Sequence, residues 1–87
     1  MPPPMTDSTR FHDTRVFRAE RFSLGIDRET GRPYLSTPVQ GSMLAVEYEA
    51  YFSISDEEYR RYLTDPESAA ALVEDCVMGR QGRRRIA

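Results

Sequence analysis

At 87 residues the chain has the length of one domain, and its single cysteine, Cys76, excludes a scaffold held by internal disulfides. Twelve basic and 14 acidic residues give a net charge of −2, which excludes a general attraction to nucleic acid. No apolar run approaches the roughly 20 residues of a membrane-spanning helix, and the first residues lack a signal-peptide pattern. A cytoplasmic location without membrane contact is therefore expected.

The composition divides the chain into three segments. Residues 1–14 contain three prolines and few apolar side chains, which predicts a disordered N-terminal segment. Residues 15–79 carry the regular apolar patterns of a single α+β domain. Residues 80–87 contain four arginines and no acid, and this composition predicts a basic disordered tail.

Apolar residues alternate with polar ones in three stretches of the domain. An alternation with a period of two is typical of half-buried strands. Clusters of turn-forming residues separate the stretches and predict an antiparallel meander. The three predicted strands cover residues 15–26, 32–39 and 44–54.

The lengths of the turns predict the register of the strands. A four-residue loop between the first two strands places Leu24 opposite Leu35. A two-residue loop next to Gly41 then puts Leu35 beside Val46 or Tyr48. Both choices keep the apolar residues on one face, because side-chain direction repeats every two residues.

Two helices are predicted after the strands. Ser55 and Glu58 have the spacing of a capping box, which begins a first helix over 56–63. Pro66 stands in the first turn of a second helix over 66–78, where apolar residues recur at steps of three and four. The predicted fold is therefore α+β, with a three-stranded antiparallel β-meander followed by two helices packed on one face of the sheet.

No residue pattern indicates catalysis, a metal site or a cofactor. His12 is the only histidine and lies in the segment predicted to be disordered, and Cys76 falls on the apolar side of the second helix. Glu47 and Glu49 lie on one strand, whereas paired carboxylates that catalyse converge from separate elements. The sequence predicts that the protein is not an enzyme and binds no cofactor.

The sheet face away from the helices is the predicted contact surface for another protein. It mixes aromatic and other apolar residues with a few charges, as interface centres do. The leading hypothesis is a small non-enzymatic protein-binding module whose partner is a different protein or a second copy of the chain. The residues predicted to bind the partner are Arg21, Tyr34, Met43, Ala45, Glu47 and Tyr51.

The basic tail carries the alternative hypothesis, a nucleic-acid-associated accessory protein. The arginines that would contact phosphates are Arg80, Arg83, Arg84 and Arg85. Four arginines release only about four counterions, so such binding would be weak and salt-sensitive. A purely solubilising tail, which also favours the negative end of the second helix, is the other interpretation.

The segments 25–39 and 46–52, followed by the helix that begins at Asp65 and Pro66, carry a resemblance to known proteins. Over residues 22–78 the chain resembles a group of short bacterial proteins of unassigned function. Small proteins of this build include immunity proteins, which bind and neutralise a cognate toxin. By size, acidity and lack of catalytic residues, the resemblance implies an immunity or regulatory role, and it transfers no site residue.

Overall fold

A computed structural model describes residues 10–40 and 47–87. Within these residues the chain forms one antiparallel sheet of four strands in sequential order, followed by two α-helices. The α+β class is confirmed, whereas the prediction of three strands is wrong. The strands are β1 Phe11–Phe17, β2 Phe22–Asp27, β3 Arg32–Gln40 and β4 Glu47–Ser53, and the helices are α1 Asp56–Thr64 and α2 Ala70–Val77, joined through a 3-10 helix Pro66–Ala69.

The additional strand arises because the predicted first strand is in fact a hairpin. The chain reverses at Arg18–Arg21, where the Arg21 N–H donates to the Arg18 carbonyl at 3.2 Å, and β1 pairs with β2. Arg21 has a φ of +62°, a left-handed conformation that glycine or asparagine usually adopts. Residues 11–14, in the segment predicted to be disordered, belong to β1 because the hairpin gives them a partner strand.

A β-bulge at Thr14 interrupts the pairing of β1 with β2. The Thr14 hydroxyl donates to the Leu24 carbonyl at 3.2 Å and shares a 2.7 Å hydrogen bond with the Tyr59 hydroxyl of α1. A bulge inserts one residue on one strand, so the alternation of faces changes at that point. As a result Phe11 and Val16 lie on the same face of the sheet, although their positions differ by five, which in a regular strand would place them on opposite faces.

The register is confirmed for the central hairpin and wrong for the next one. Leu24 lies opposite Leu35, as the four-residue loop predicts. Leu35, however, lies opposite Phe52, and Gln40 pairs with Glu47. The connection therefore spans residues 41–46, which lie outside the described residues, instead of two residues. The apolar residues of β4 keep their predicted face, because the two registers differ by an even number of residues.

The capping box that begins α1 is confirmed. The Glu58 N–H donates to Ser55 Oγ at 3.0 Å, and the Ser55 N–H donates to Glu58 Oε1 at 2.8 Å. α1 and α2 both pack on β3. Within the part of the chain that the structure describes, no helix has the length and apolar character needed to cross a bilayer.

The hydrophobic core lies between the helices and one face of the sheet. Leu72 and Val73, which belong to the apolar pattern of the second predicted helix, are half-buried against it. Along each strand, the side chains that the helices cover alternate with side chains that point to the opposite face of the sheet. The buried apolar residues here are Phe22, Leu24, Leu35, Val39, Ala50, Phe52, Ile54, Tyr62, Ala69 and Cys76.

The C-terminal segment lies along the outer edge of β4. The Ile86 N–H donates to the Tyr51 carbonyl at 2.7 Å, and the Tyr51 N–H donates to the Ala87 carbonyl at 3.1 Å. The prediction of a disordered tail over 80–87 differs from this arrangement. Composition gives no signal for it, because the β4 edge offers unpaired backbone groups that any sequence can satisfy.

Candidate binding surface on the open face of the sheet

The open face, defined as the side of the sheet opposite α1 and α2, is partly closed by an aromatic cluster. Phe11 stacks on Tyr51 with ring centroids 4.0 Å apart, and both rings meet Tyr34 edge-on at 5.3 Å. Tyr34 is 0 % exposed, and its hydroxyl donates to the Asp13 carboxylate. Burial, and after it the contact with Asp13, raises the pKa of Tyr34 above its ordinary value of 10.0, so its hydroxyl stays protonated and keeps donating to Asp13 even in alkaline solution.

This cluster changes the predicted roles of two tyrosines. Tyr34 has no exposed surface to offer a partner, because Phe11 on the unpredicted strand β1 covers it. Its predicted role as a direct anchor is corrected to that of a packing residue. Tyr51 is half-buried, and one side of its ring is occupied by Phe11. Met43 and Ala45 lie outside the described residues.

An ion pair closes one end of the aromatic cluster. The buried Asp27 carboxylate accepts two 3.1 Å hydrogen bonds from the Arg10 guanidinium and a 2.9 Å bond from the Glu29 N–H. The hydrogen bond from Arg10 is the main reason that the pKa of Asp27 lies below its ordinary value of 3.8. Asp27 therefore stabilises the fold when ionised, and this stabilisation is lost as the pH falls through the lowered pKa.

We expect Asp27→Asn to lower the stability at neutral pH and to flatten the acid side of the stability profile. In the wild type, the ionised Asp27 carboxylate contributes fully to the free energy of unfolding above pH 3.8, and this contribution is lost as the pH falls further. Asparagine does not titrate, so the variant has no such loss. Urea unfolding at about pH 7 and about pH 3 measures both effects. Glu67→Gln, at an exposed carboxyl, is the control. An acid loss in Asp27→Asn as large as in wild type would contradict the assignment.

The other half of the open face, near the β1–β2 turn, contains a hollow of about 160 Å³. Val16 is 52 % exposed here, and Pro38 of β3 is half-buried. A concave surface with apolar walls can take up an apolar side chain from another molecule. From the open face the hollow is lined by Val16, Pro38 and the charged Glu49, and at the turn it reaches Arg21 and the core residues Phe17 and Phe22.

Arg21 and Glu47, both predicted to bind the partner, are brought together beside this hollow. The Arg21 guanidinium lies 3.1 Å from Glu47 Oε1, and the two side chains are 60 % and 49 % exposed. An ion pair this exposed contributes little to stability. A partner can therefore contact either charged group, and breaking the ion pair would lower the stability of the fold only slightly.

Two arginines of the predicted nucleic-acid contact have partners at the surface. Arg80 lies 2.9 Å from the Asp75 carboxylate. Arg85 lies over the Tyr48 ring and donates to the Ala87 carbonyl at 2.8 Å. These contacts keep the guanidinium groups of Arg80 and Arg85 against the surface of the folded chain.

The other two arginines differ from each other. Arg84 donates to both oxygens of the Glu58 carboxylate at 3.0 Å and to the Ser53 carbonyl at 3.0 Å. Burial raises the pKa of Glu58, but the hydrogen bonds from Arg84 and from Ser55, together with the Arg84 charge, outweigh it, and the net pKa is lowered. Arg83 is exposed and forms no ion pair with the described residues. The sequence predicts the same phosphate-binding role for Arg83 and Arg84, although their environments in the structure are different.

In the part of the chain that the structure describes, the reactive residue types do not come together as a metal or catalytic site. Among residues 10–40 and 47–87, no three histidine, cysteine or acidic residues are placed to hold a metal ion. Cys76 is buried, and burial raises the pKa of its thiol to about 11. It is therefore a protonated packing residue of the core at neutral pH. His12 is exposed on β1.

Comparison of the chain with protein-family models, curated proteins and solved structures finds no match. The resemblance to short bacterial proteins of unassigned function therefore stays a prediction. The geometry of the open face remains as the basis for a functional assignment.

Proposed function

We propose that this protein is a small non-catalytic protein-binding module that contacts its partner through the open face of its sheet. The observation that carries the proposal is the hollow beside Val16 and Pro38, where apolar side chains are exposed opposite the helix-covered face. Filling the hollow with an apolar side chain removes this surface from water, which favours association. The aromatic cluster beneath Phe11 supports the contact by making the adjoining half of the face rigid.

The charges around the hollow define what the partner presents. Arg21 and Glu47 are exposed as a pair, and Glu49 lines the hollow. An apolar centre with a polar rim is the usual anatomy of a protein interface. The expected partner surface is therefore an apolar side chain flanked by charges of both signs.

An immunity or regulatory role is the biological form of this proposal. It is supported by the small size, the net charge of −2 and the resemblance described above. A cytoplasmic location is part of the proposal, because an unpaired cysteine such as Cys76 is typical of reducing compartments. The nucleic-acid alternative has less support, since three of the four tail arginines are already engaged by groups of the same chain.

We expect Val16→Asp to abolish association with the partner, because an apolar side chain of the partner would have to strip water from a carboxylate in the hollow. The fold should stay intact, since Val16 is 52 % exposed in the free protein. Gel filtration of native cell extract should place wild type in a complex larger than the 10.0 kDa chain and Val16→Asp at the size of the free chain. Val77→Asp is the matched control, since Val77 at the end of α2 is 46 % exposed against 52 % for Val16. Sedimentation of purified wild type shows whether the partner is a second copy.

Two outcomes would count against the proposal. In the first, wild type and Val16→Asp elute at the same size. In the second, Val77→Asp loses the complex while Val16→Asp keeps it, which would move the contact to the helix side.

A further inference from the structure

A second hollow, of about 490 Å³, lies away from the open face. It is bounded by the start of β3, the end of β4, the first turns of α1 and the C-terminal segment. Arginines reach it from three of these elements. They are Arg32 from β3, Arg61 from α1, and Arg83 and Arg84 from the C-terminal segment.

Three of these arginines have no ion-pair partner within residues 10–40 and 47–87. Arg84 is neutralised by Glu58, but Arg32, Arg61 and Arg83 form no ion pair with the described residues. Glu57 is the other acid that lines the hollow. The hollow thus has an excess of positive charge in a chain whose net charge is −2. Like charges gathered in one concavity repel each other, and a bound anion removes that repulsion.

We propose that this hollow binds the phosphate group of a small molecule. A guanidinium offers a planar pair of N–H donors that matches phosphate oxygens, and arginines from separate elements can approach one tetrahedral group from different sides. A carboxylate has only one charge and fits the excess less well.

The lining also restricts what the phosphate is attached to. Among the residues that the structure describes, Ile54 is the only apolar side chain that lines the hollow, and none of the lining residues is aromatic. Nucleobases bind by stacking on aromatic rings and apolar surfaces, and the hollow lacks such a platform. The attached group is therefore polar and stays largely in solvent. The site is independent of the open face, so Val16→Asp leaves it unchanged.

The test is a titration of the full chain with inorganic phosphate at low ionic strength, followed by the amide NMR shifts of Ser53 and Ser55. We expect saturable shifts with a dissociation constant on the order of 1 mM. Arg61→Gln and Arg83→Gln should each weaken binding about five- to tenfold, because each removes charge-assisted hydrogen bonds at an exposed site. Glu57→Gln should tighten it by about two- to fivefold, because it removes the remaining repulsion.

Arg60→Gln is the matched control, since Arg60 is an exposed neighbour on α1 that does not line the hollow. It should leave binding unchanged. Absence of saturation, or an equal loss in Arg60→Gln and Arg61→Gln, would overturn the site. A single-stranded oligonucleotide that binds much more tightly than phosphate through Arg61 and Arg83 would overturn the small-molecule assignment.

Discussion

Phe52→Ala is expected to remove a large share of the stability of this protein. Phe52 is 3 % exposed and packs with Val39, Ala50 and Cys76 between β4 and α2. Truncating a buried phenylalanine costs about 3–5 kcal/mol, because the apolar transfer energy is lost and a cavity remains. The free energy of unfolding of a small domain is roughly 5–15 kcal/mol in total. If this domain lies at the lower end of that range, the variant should be close to unfolded at 37 °C.

Denaturant titration followed by circular dichroism measures the change in free energy of unfolding. Tyr48→Ala is the control on the same strand, because Tyr48 is 45 % exposed. It should cost about 0.5 kcal/mol, as surface substitutions usually do. If Phe52→Ala and Tyr48→Ala cost the same, Phe52 does not belong to the core.

Gly25→Ala is expected to have the next largest effect, because Gly25 leaves no room for a side chain. A Cβ added at Gly25 would lie 2.3 Å from the His12 carbonyl oxygen and 2.4 Å from the Tyr34 hydroxyl oxygen. The first neighbour is backbone of the paired strand β1, and the second belongs to the fully buried Tyr34, so neither moves away freely. Overpacking of this kind costs about 1–3 kcal/mol and more where backbone must shift.

The control is Gly82→Ala, since a Cβ there would meet no atom within 4 Å. Thermal unfolding of both variants should show a clear drop in melting temperature for Gly25→Ala only. Reduced near-ultraviolet circular dichroism of the tyrosines in Gly25→Ala would show that the aromatic cluster has been displaced. Equal melting temperatures for the two variants would contradict the close approach of Tyr34 to β2.

The sequence predicts those parts of the fold that local signals specify. The capping box of Ser55 and Glu58 marks the start of α1, and the turn before Arg32 sets the register that places Leu24 opposite Leu35. Hydrophobic alternation identifies the covered face of the sheet even where the register is wrong, because the error is an even number of residues.

The strand β1 could not be predicted because two irregular features conceal it. The turn at Arg18–Arg21 uses an arginine at positive φ, so the usual turn residues are missing. The bulge at Thr14 breaks the period of two that would reveal a strand. Without β1 the sequence cannot show that Phe11 covers Tyr34. Tyr34 is therefore predicted to be exposed and to bind the partner.

The two hollows depend on contacts between distant parts of the chain. Val16 and Pro38 lie on different strands, and their meeting requires the hairpin and the bulge together. Arg61 and Arg83 belong to a helix and to a segment whose composition indicates a free tail. Glu58 in the capping box is the acid that pairs with Arg84, but the two residues are 26 positions apart. No local sequence pattern indicates a pair at that separation.

Site-specific photo-crosslinking in cells tests the central claim that the open face contacts a protein partner. A photoreactive phenylalanine analogue would replace Val16 in one variant and Val77 in the other, since both positions are about half exposed on different sides of the molecule. One discrete adduct is expected from position 16 and none from position 77. Excess untagged wild type should suppress the adduct, and excess untagged Val16→Asp should not. An adduct from position 77 alone, or equal adducts from both positions that untagged wild type does not suppress, would contradict the claim.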